Sequence, residues 1–374
     1  MRYRLGLAFA LVLGVWGVMQ LNAEPPAISD ERGRADKLFA DGNYREALEV
    51  YRSLALNAEN TSSQLSHDIT QVDNCYRNLQ RDSEIDAYLD DAEKVHEKNW
   101  RGLKAIGQEW IISQHYGFVI AGKFNRGNSN SGGQYVDATP RDRARALQLF
   151  DKALPLVVEE ALNDQNRSEV SQFFKELADF VLNGRMGGAA WQLQSLTNIQ
   201  ELPDYTDVDY GRWGGGWGGS KGAPVDAEGN PVFYSVAESW AAATSDGQRW
   251  RWAMEQAKQV QPDRTAEIDR QFADFLHSQF GVQTLREGGI TLPAFDEKDG
   301  DQNANPFSVK TLKDNETIAR LATGAKRLTL PEEFNPIVIL KRLADGTDPQ
   351  AASSLEMLAQ IATDRQQYSQ AAEY

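Results

Sequence analysis

Apolar residues recur at spacings of three and four positions along most of the chain, which is the period of an amphipathic helix. Such runs cover residues 85–110 and 268–280. The same spacing joins Ile318 to Leu321 and predicts another helix over residues 314–324. Strict alternation of apolar and polar residues, the mark of a half-buried strand, is scarce. The pattern therefore predicts a mainly helical protein.

The clearest local signature is ADKLFADGNYREALEVY, residues 35–51, which resembles a tetratricopeptide repeat, two antiparallel helices joined by a tight turn. A small residue at position 47 lets the helices approach closely, and aromatic residues at positions 44 and 51 fill the groove between them. Glu31 and Arg34 stand where that repeat prefers apolar residues, so the match is partial. The predicted repeat-packing residues are Ala35, Leu38, Gly42, Tyr44, Ala47 and Tyr51.

Weaker copies of this pattern follow along the chain. Their predicted packing residues are Ala146, Phe150 and Ala153, then Gly184 and Ala189, then Tyr368 and Ala371. No strict period connects the copies, so we expect an irregular tetratricopeptide-like α-solenoid rather than a regular array. Aligning Ala47 with Ala371 puts the counterpart of Tyr51 one position beyond Tyr374. We therefore expect the last repeat to stop inside its second helix.

Two interruptions divide the helical pattern. Residues 122–140 are polar and rich in Gly and Asn, which predicts a loop. Residues 201–244 hold a Gly/Trp-rich loop and then GAPVDAEGNPVFY, in which two prolines exclude a helix and a short β-hairpin is predicted. The expected domains are a signal peptide at 1–23, a tetratricopeptide-like helical region at 24–200, the insert at 201–244, and a helical region at 245–374 that ends in a truncated repeat.

The first residues have the composition of a secretory signal. Arg2 and Arg4 precede a continuous apolar run at residues 5–19, and Ala23 offers a small residue for cleavage before Glu24. The apolar run is short for a membrane-spanning helix, although an uncleaved N-terminal anchor is the alternative. We therefore expect an exported protein of the periplasm or cell envelope, which contacts the membrane only if this segment stays uncleaved.

Composition narrows the choice of partners. The chain has 39 basic and 54 acidic residues, a net charge of −15. Binding to a nucleic-acid backbone or to an anionic lipid surface needs a basic patch, so both are excluded. The single cysteine, Cys75, lies on the apolar stripe of a predicted helix, and we expect a buried core residue rather than a reactive thiol.

The segment GRWGGGWGGSKG, residues 211–222, has the glycines of a phosphate-binding loop but not its order. Such a loop needs Gly-Lys followed by Ser or Thr, whereas here Lys221 follows Ser220. We expect Trp213 and Trp217 to pin a flexible loop to the helices. The alternative is that the two tryptophans contact a partner, as a platform for a sugar or a peptide.

No motif predicts a cofactor, a metal or a catalytic group. In the acidic loop at residues 296–306, Ala304 stands where a calcium loop needs Gly and Lys310 where it needs Glu. The four histidines, at positions 67, 96, 115 and 277, have no metal-ligand spacing. We therefore expect a protein that is not an enzyme and that has no metal site or cofactor.

The sequence as a whole resembles the N-terminal helical region of large exported bacterial alpha-2-macroglobulin-like proteins. The resemblance is carried by the segments HYGFVIAGKFNRG, RALQLFDKAL, GAPVDAEGNPVFY, SDGQRWRWA, RQFADFLHSQFGVQT and DNETIARLATGAKRLTLPEEFNPI. It implies a full-length protein that traps endopeptidases through downstream domains. The chain lacks the Cys-x-Glu-Gln thioester motif of that family, because Cys75 is followed by Tyr76. Trapping activity is therefore assigned to no residue of this chain.

Three functions remain open from the sequence. The first is a non-catalytic helical scaffold or interaction module of an alpha-2-macroglobulin-like protein, whose partners are the downstream domains of its own full-length chain. The second is a free-standing exported tetratricopeptide adaptor that binds a peptide or protein. The third is a carbohydrate-binding module that uses the tryptophans.

Overall fold

The computed structural model describes residues 26–60, 64–128, 132–162, 166–208, 222–287, 289 and 307–374. These residues form a mainly helical protein with a small antiparallel sheet, so the mainly helical prediction is confirmed. The predicted signal segment, Trp213, Trp217, Lys221 and the acidic loop at 296–306 all lie outside the described residues.

The chain divides into two compact units. One spans Met1–Asn163 and Asn198–Tyr210, and the other spans Asp164–Thr197 and Gly211–Tyr374. Each unit has a buried apolar core of its own.

The first unit is built from helices that pack on their neighbours along the chain. The helices are α1 (Pro26–Ala40), α2 (Tyr44–Ala55), α3 (Leu65–Asn78), α4 (Ile85–Val95), α5 (Trp100–Ile112) and α6 (Thr139–Leu162). The packed pairs are α1 with α2, α2 with α3, α3 with α5, α4 with α5, and α5 with α6. The residues that fill the groove between helices include Tyr51, Tyr76 and Tyr88, all fully or almost fully buried.

One turn geometry recurs where helix pairs meet. At the end of α1, Asn43 N–H donates to Leu38 O at 2.9 Å and Gly42 N–H donates to Phe39 O at 3.0 Å. This pair of bonds is a Schellman motif, which needs a left-handed residue, and Gly42 has φ +79°. The same bonds close α3, with Gln80 at φ +56°. They recur between α12 (Gln350–Asp364) and α13 (Tyr368–Glu373), with Gln366 at φ +57°.

A four-stranded antiparallel sheet belongs to the same unit, so the loop predicted at 122–140 is wrong. Its strands are β1 (Tyr116–Ile120), β2 (Lys123–Arg126), β3 (Gln134–Asp137) and β4 (Thr206–Asp207), in the order β2-β1-β3-β4. Ala121 and Gly122 join β1 to β2 with φ of +50° and +78°. Two successive positive φ angles match the twist of a tight hairpin, so the glycine marks a turn between strands.

The second unit is organised around one helix that is covered on both sides. Its elements are α7 (Arg167–Leu182), α8 (Asp246–Val260), α9 (Thr265–Phe280), α10 (Gln283–Glu287), β5 (Glu316–Leu321), β6 (Gly324–Thr329), α11 (Pro336–Ala344), α12 and α13. Every residue of α8 from Arg249 to Met254 is buried. A helical segment that is buried all round lies inside its domain, and the Arg249–Met254 part of α8 has this position in the second unit.

A buried carboxylate fixes the start of α8. Asp246 accepts hydrogen bonds from the Thr197 amide at 3.0 Å, from the Thr197 hydroxyl and from Arg185. Ser245 caps the helix by accepting a bond from the Gln248 amide at 3.2 Å. The Ser245 cap satisfies a backbone donor that a helix N-terminus leaves unpaired, and the negative charge of Asp246 complements the positive end of the helix dipole.

The repeat predicted around Gly184 and Ala189 is not a pair of α-helices. Gly184 has φ +70° and ends the turn after α7, but residues Gly187–Gln194 form a 3₁₀ helix. Within it Ala190 and Leu193 are fully buried, whereas Ala189 is half-buried. The spacing of three residues between Ala190 and Leu193 suits a 3₁₀ turn as well as an α-helix. The prediction of a second α-helix at this point is therefore wrong.

The helix predicted over residues 314–324 is also wrong, because this segment forms the hairpin β5–β6. Ile318 pairs with Arg327 and Leu321 with Gly324 in an antiparallel register. On its other side β5 meets Ala223, whose amide donates to Arg320 O at 2.8 Å. Neighbours on both sides bury Ile318 and Leu321 at a spacing that imitates a helix.

In the described part of the insert, the place of the predicted hairpin holds a tight turn closed by a single bridge, without the predicted strands. Val225 and Pro231 form an antiparallel bridge, and the Asp226 carboxylate accepts from the amides of Glu228 at 3.0 Å and Asn230 at 2.7 Å. Beyond it the Tyr234 ring lies directly against Gly247 of α8, where a Cβ atom would overlap the ring.

We expect Gln80→Gly to stabilise the protein by about 0.5–1 kcal/mol, because glycine removes the cost of a left-handed backbone that a side chain imposes. The matched control is Gln71→Gly within α3, which should destabilise by about 1 kcal/mol. Urea unfolding of both variants measures the two changes. Loss of stability in Gln80→Gly would contradict the account of this turn.

Candidate functional site

Most of the predicted repeat-packing residues lie in helix contacts of the first unit. Ala35, Ala47, Tyr51, Ala146, Phe150 and Ala153 are at most 1% exposed. Leu38 and Tyr44 are half-buried, and the Tyr44 ring lies 5.2 Å from the Phe39 ring. In the second unit Ala371 is half-buried and Tyr368 is exposed.

The surroundings of the cysteine and the histidines are those of residues that stabilise the fold. Cys75 is fully buried, and burial raises the pKa of its thiol to about 12, which keeps it protonated and unreactive. The histidines lie apart: His67 contacts Asp36, His96 contacts Ala55 O and His115 contacts Asp142. Over the described ranges, no group of three or more His, Cys, Asp or Glu side chains is placed to hold a metal ion.

The sheet of the first unit has two different faces. Its inner face holds Phe124 and Arg126 of β2, Val136 of β3, and Gly117 of β1 between them. Val136 and Arg126 are at most 3% exposed, which places this face against the helices. A Cβ at Gly117 would lie 2.7 Å from the Phe124 ring and overlap the backbone of Asn125. Only glycine therefore lets Phe124 cross β1 on this face.

Arg126 fixes the inner face to three parts of the unit. Its Nε donates to Asp86 of α4 at 2.6 Å, and its two terminal nitrogens donate to the Asp142 carboxylate of α6 at 2.8 and 3.0 Å. A further bond of 2.6 Å reaches the Gln114 carbonyl between α5 and β1. The guanidinium is 1% exposed. A planar donor with several partners suits this position better than a lysine would.

Aromatic rings enclose the same guanidinium. Its carbon lies 5.4 Å from the centres of the Trp110 and Phe124 rings. Burial by itself would lower the pKa of Arg126, but hydrogen bonds and charge from Asp142 and Asp86 raise it above its ordinary value. Arg126 is therefore a permanent cation whose position depends on its two carboxylate partners.

The outer face of the sheet presents aromatic side chains. Tyr116, Phe118 and Tyr135 project from neighbouring strands. The Tyr116 and Tyr135 rings stack at 6.0 Å, and the Phe118 ring lies 5.0 Å from Tyr135. Tyr116 is 42% exposed and the other two are half-buried. We call Tyr116, Phe118 and Tyr135 the aromatic face and treat it as the candidate recognition surface.

The sequence signals for this site are weak. Arg126 stands in a polar segment, and its carboxylate partners lie 40 and 16 positions away. Alternation over YGFVI and KFNR is the one signal that places Tyr116 and Phe118 on one side of the sheet and Arg126 on the other. Asp86, Asp142 and the aromatic face were not predicted from the sequence.

No described helix combines the length and the apolar character needed to cross a bilayer. No known protein-family model, curated protein or solved structure matches the chain. The resemblance to alpha-2-macroglobulin-like proteins therefore stays a prediction.

We expect Arg126→Met to destabilise the first unit by about 3–5 kcal/mol, because it leaves the buried carboxylate of Asp142 without its cation. The matched control is Arg145→Met, which removes a more exposed arginine that also pairs with two carboxylates, Asp90 and Glu93. That change should cost about 0–1 kcal/mol. Urea unfolding measures the stability of both variants. Equal losses of unfolding free energy would show that Arg126 contributes no more than the more exposed Arg145.

Proposed function

We propose that this chain is a non-catalytic helical interaction module that recognises a protein or peptide through the aromatic face. The observation that carries the proposal is a partly exposed Tyr and Phe cluster on a sheet whose opposite face is held by a buried ion network. Tyrosine and phenylalanine are enriched in protein interfaces, where a rigid ring buries a large area at little entropic cost.

The ring geometry favours a protein partner over a sugar. A sugar platform needs an open ring face, whereas Tyr116 and Tyr135 stack on each other at an interplanar angle of 19°. The cluster therefore presents two hydroxyl-bearing rings stacked on each other, of which Tyr116 is the more exposed. Such a surface suits packing against apolar side chains with a polar rim.

The helical part supports a scaffold role. The pairs α1/α2 and α12/α13 share one turn geometry. Helices α5 and α6 pack closely, because a Cβ atom added at Gly107 would lie 3.4 Å from Ala146 O. We interpret these pairs as divergent tetratricopeptide-like hairpins in an irregular solenoid. In this interpretation β1–β3 are inserted between the two helices of one hairpin, α5 and α6.

The resemblance to alpha-2-macroglobulin-like proteins supplies the setting of the proposal. In that setting the module belongs to an exported protein of the periplasm or cell envelope that inhibits endopeptidases. Its partners are then other domains of the same full-length protein. The alternative is an adaptor that binds a separate protein through the same surface.

A photo-cross-linking residue at position 116 tests the proposal in the full-length protein in its own cell. We expect a protein adduct at this position and none at position 49, a matched control on the exposed face of α2. Peptide mapping of the adduct distinguishes the two settings. The cross-linked peptide comes either from another domain of the same full-length protein or from a separate protein.

Two results would contradict this proposal. One is the same cross-linking yield at positions 116 and 49. The other is retention by glycan beads that Tyr116→Ser abolishes and the control Leu162→Ser, at an 82% exposed site of the same unit, leaves intact. The second result would make the aromatic face a carbohydrate site.

A further inference from the structure

Two carboxyl groups with no cation between them meet inside the first unit. Asp73 of α3 and Glu109 of α5 are at most 1% exposed. Thr70, one turn before Asp73 on α3, donates to Glu109 at 2.8 Å, which brings the Glu109 carboxyl group beside that of Asp73. Like charges at such a distance in a buried site cannot both persist, so one of the two groups holds a proton.

Contacts with Arg77 and Thr70 involve one carboxyl oxygen of each residue, and the second oxygen of each residue remains to be explained. Asp73 Oδ2 pairs with Arg77 at 2.5 Å, and Glu109 Oε2 accepts from the Thr70 hydroxyl at 2.8 Å. In the described part of the chain, no donor reaches the buried atoms Asp73 Oδ1 and Glu109 Oε1. A carboxylic acid has one O–H donor, and a carboxylate has only acceptors. A single shared proton satisfies both oxygens.

The groups around the pair explain which side holds the proton. Arg77 stabilises the charge on Asp73, while Asp82, from the 3₁₀ helix after α3, opposes it. From α4, Tyr88 is fully buried, and burial together with the charge of Glu109 raises the pKa of its hydroxyl. On its other side α5 meets α6 through Gly107, against Ala146 O and the Phe150 ring. The cation therefore lies on the aspartate side, and the proton resides on Glu109.

We propose that one proton shared between Asp73 and Glu109 holds α3 against α5, so that the first unit is a pH-responsive element that loosens in alkaline solution. Loss of the proton leaves two buried negative charges in contact between these helices. Repulsion between the two charges and their desolvation then both destabilise the contact between α3 and α5.

The direction of the response follows from the protonation of the two states. Burial, with the charge of Asp73, raises the pKa of Glu109 from 4.5 to about 8. Between these values the folded protein keeps a proton that the unfolded chain releases. The contribution to stability is complete below pH 4.5 and is lost as the pH rises toward 8.

Glu109→Gln tests the proposal, because an amide N–H donates to Asp73 Oδ1 at every pH. The unfolding constant of the wild type should rise relative to that of the variant by about tenfold for each pH unit within this window. The control Glu49→Gln removes the same charge from the exposed face of α2 and should follow the wild type. Identical pH profiles for the wild type and Glu109→Gln would overturn the proposal.

A second measurement does not depend on the folding of the variant. Infrared difference spectra of the wild-type protein between about pH 7 and about pH 9 should show a protonated carboxyl band that disappears on titration. Specific labelling of glutamate carboxyl carbons with ¹³C should shift this band. Absence of any such band at about pH 7 would overturn the proposal as well.

Discussion

The buried guanidinium of Arg126 determines how the small sheet lies on the helices of the first unit. A charge that is 1% exposed carries a large desolvation cost, which only well-placed partners can offset. Its partners come from α4, from α6 and from the backbone before β1. Because all these bonds need one orientation of β2, the strand cannot shift without breaking several of them. The aromatic face on the other side of the sheet takes its position from this constraint.

The same unit contains buried charges of two kinds, and they have opposite consequences. Arg126 with its carboxylates, and Arg32 with Asp68, are pairs in which each ion compensates the other. Such pairs fix the packing of the elements that they join. Asp73 and Glu109 have one cation beside them, Arg77 on the aspartate side, so in our proposal a proton compensates the second negative charge. Fixed and titratable interactions thus lie side by side on α3, where Asp68 and Asp73 are five positions apart.

Local patterns were enough to predict the parts of the fold that depend on near neighbours. The spacing of Ala47 and Tyr51 predicted the face of α2 that packs, and the apolar stripe around Cys75 predicted its burial. Where a strand is buried on both sides, as at Ile318 and Leu321, the spacing of buried residues imitates a helix and the prediction failed. The candidate site could not be predicted because pairs such as Arg126 with Asp86 join residues that are distant in the sequence.

Amide hydrogen exchange in Asp142→Asn tests the central claim, that the ion network of Arg126 holds the sheet on the helices. The asparagine keeps the shape of the side chain but removes the charge that pairs with Arg126. The account predicts that amides of β1 and β3 exchange at least about tenfold faster, while amides of α1 and α2 keep their protection. Unchanged exchange in the sheet, or an equal loss in every element of the unit, would contradict it.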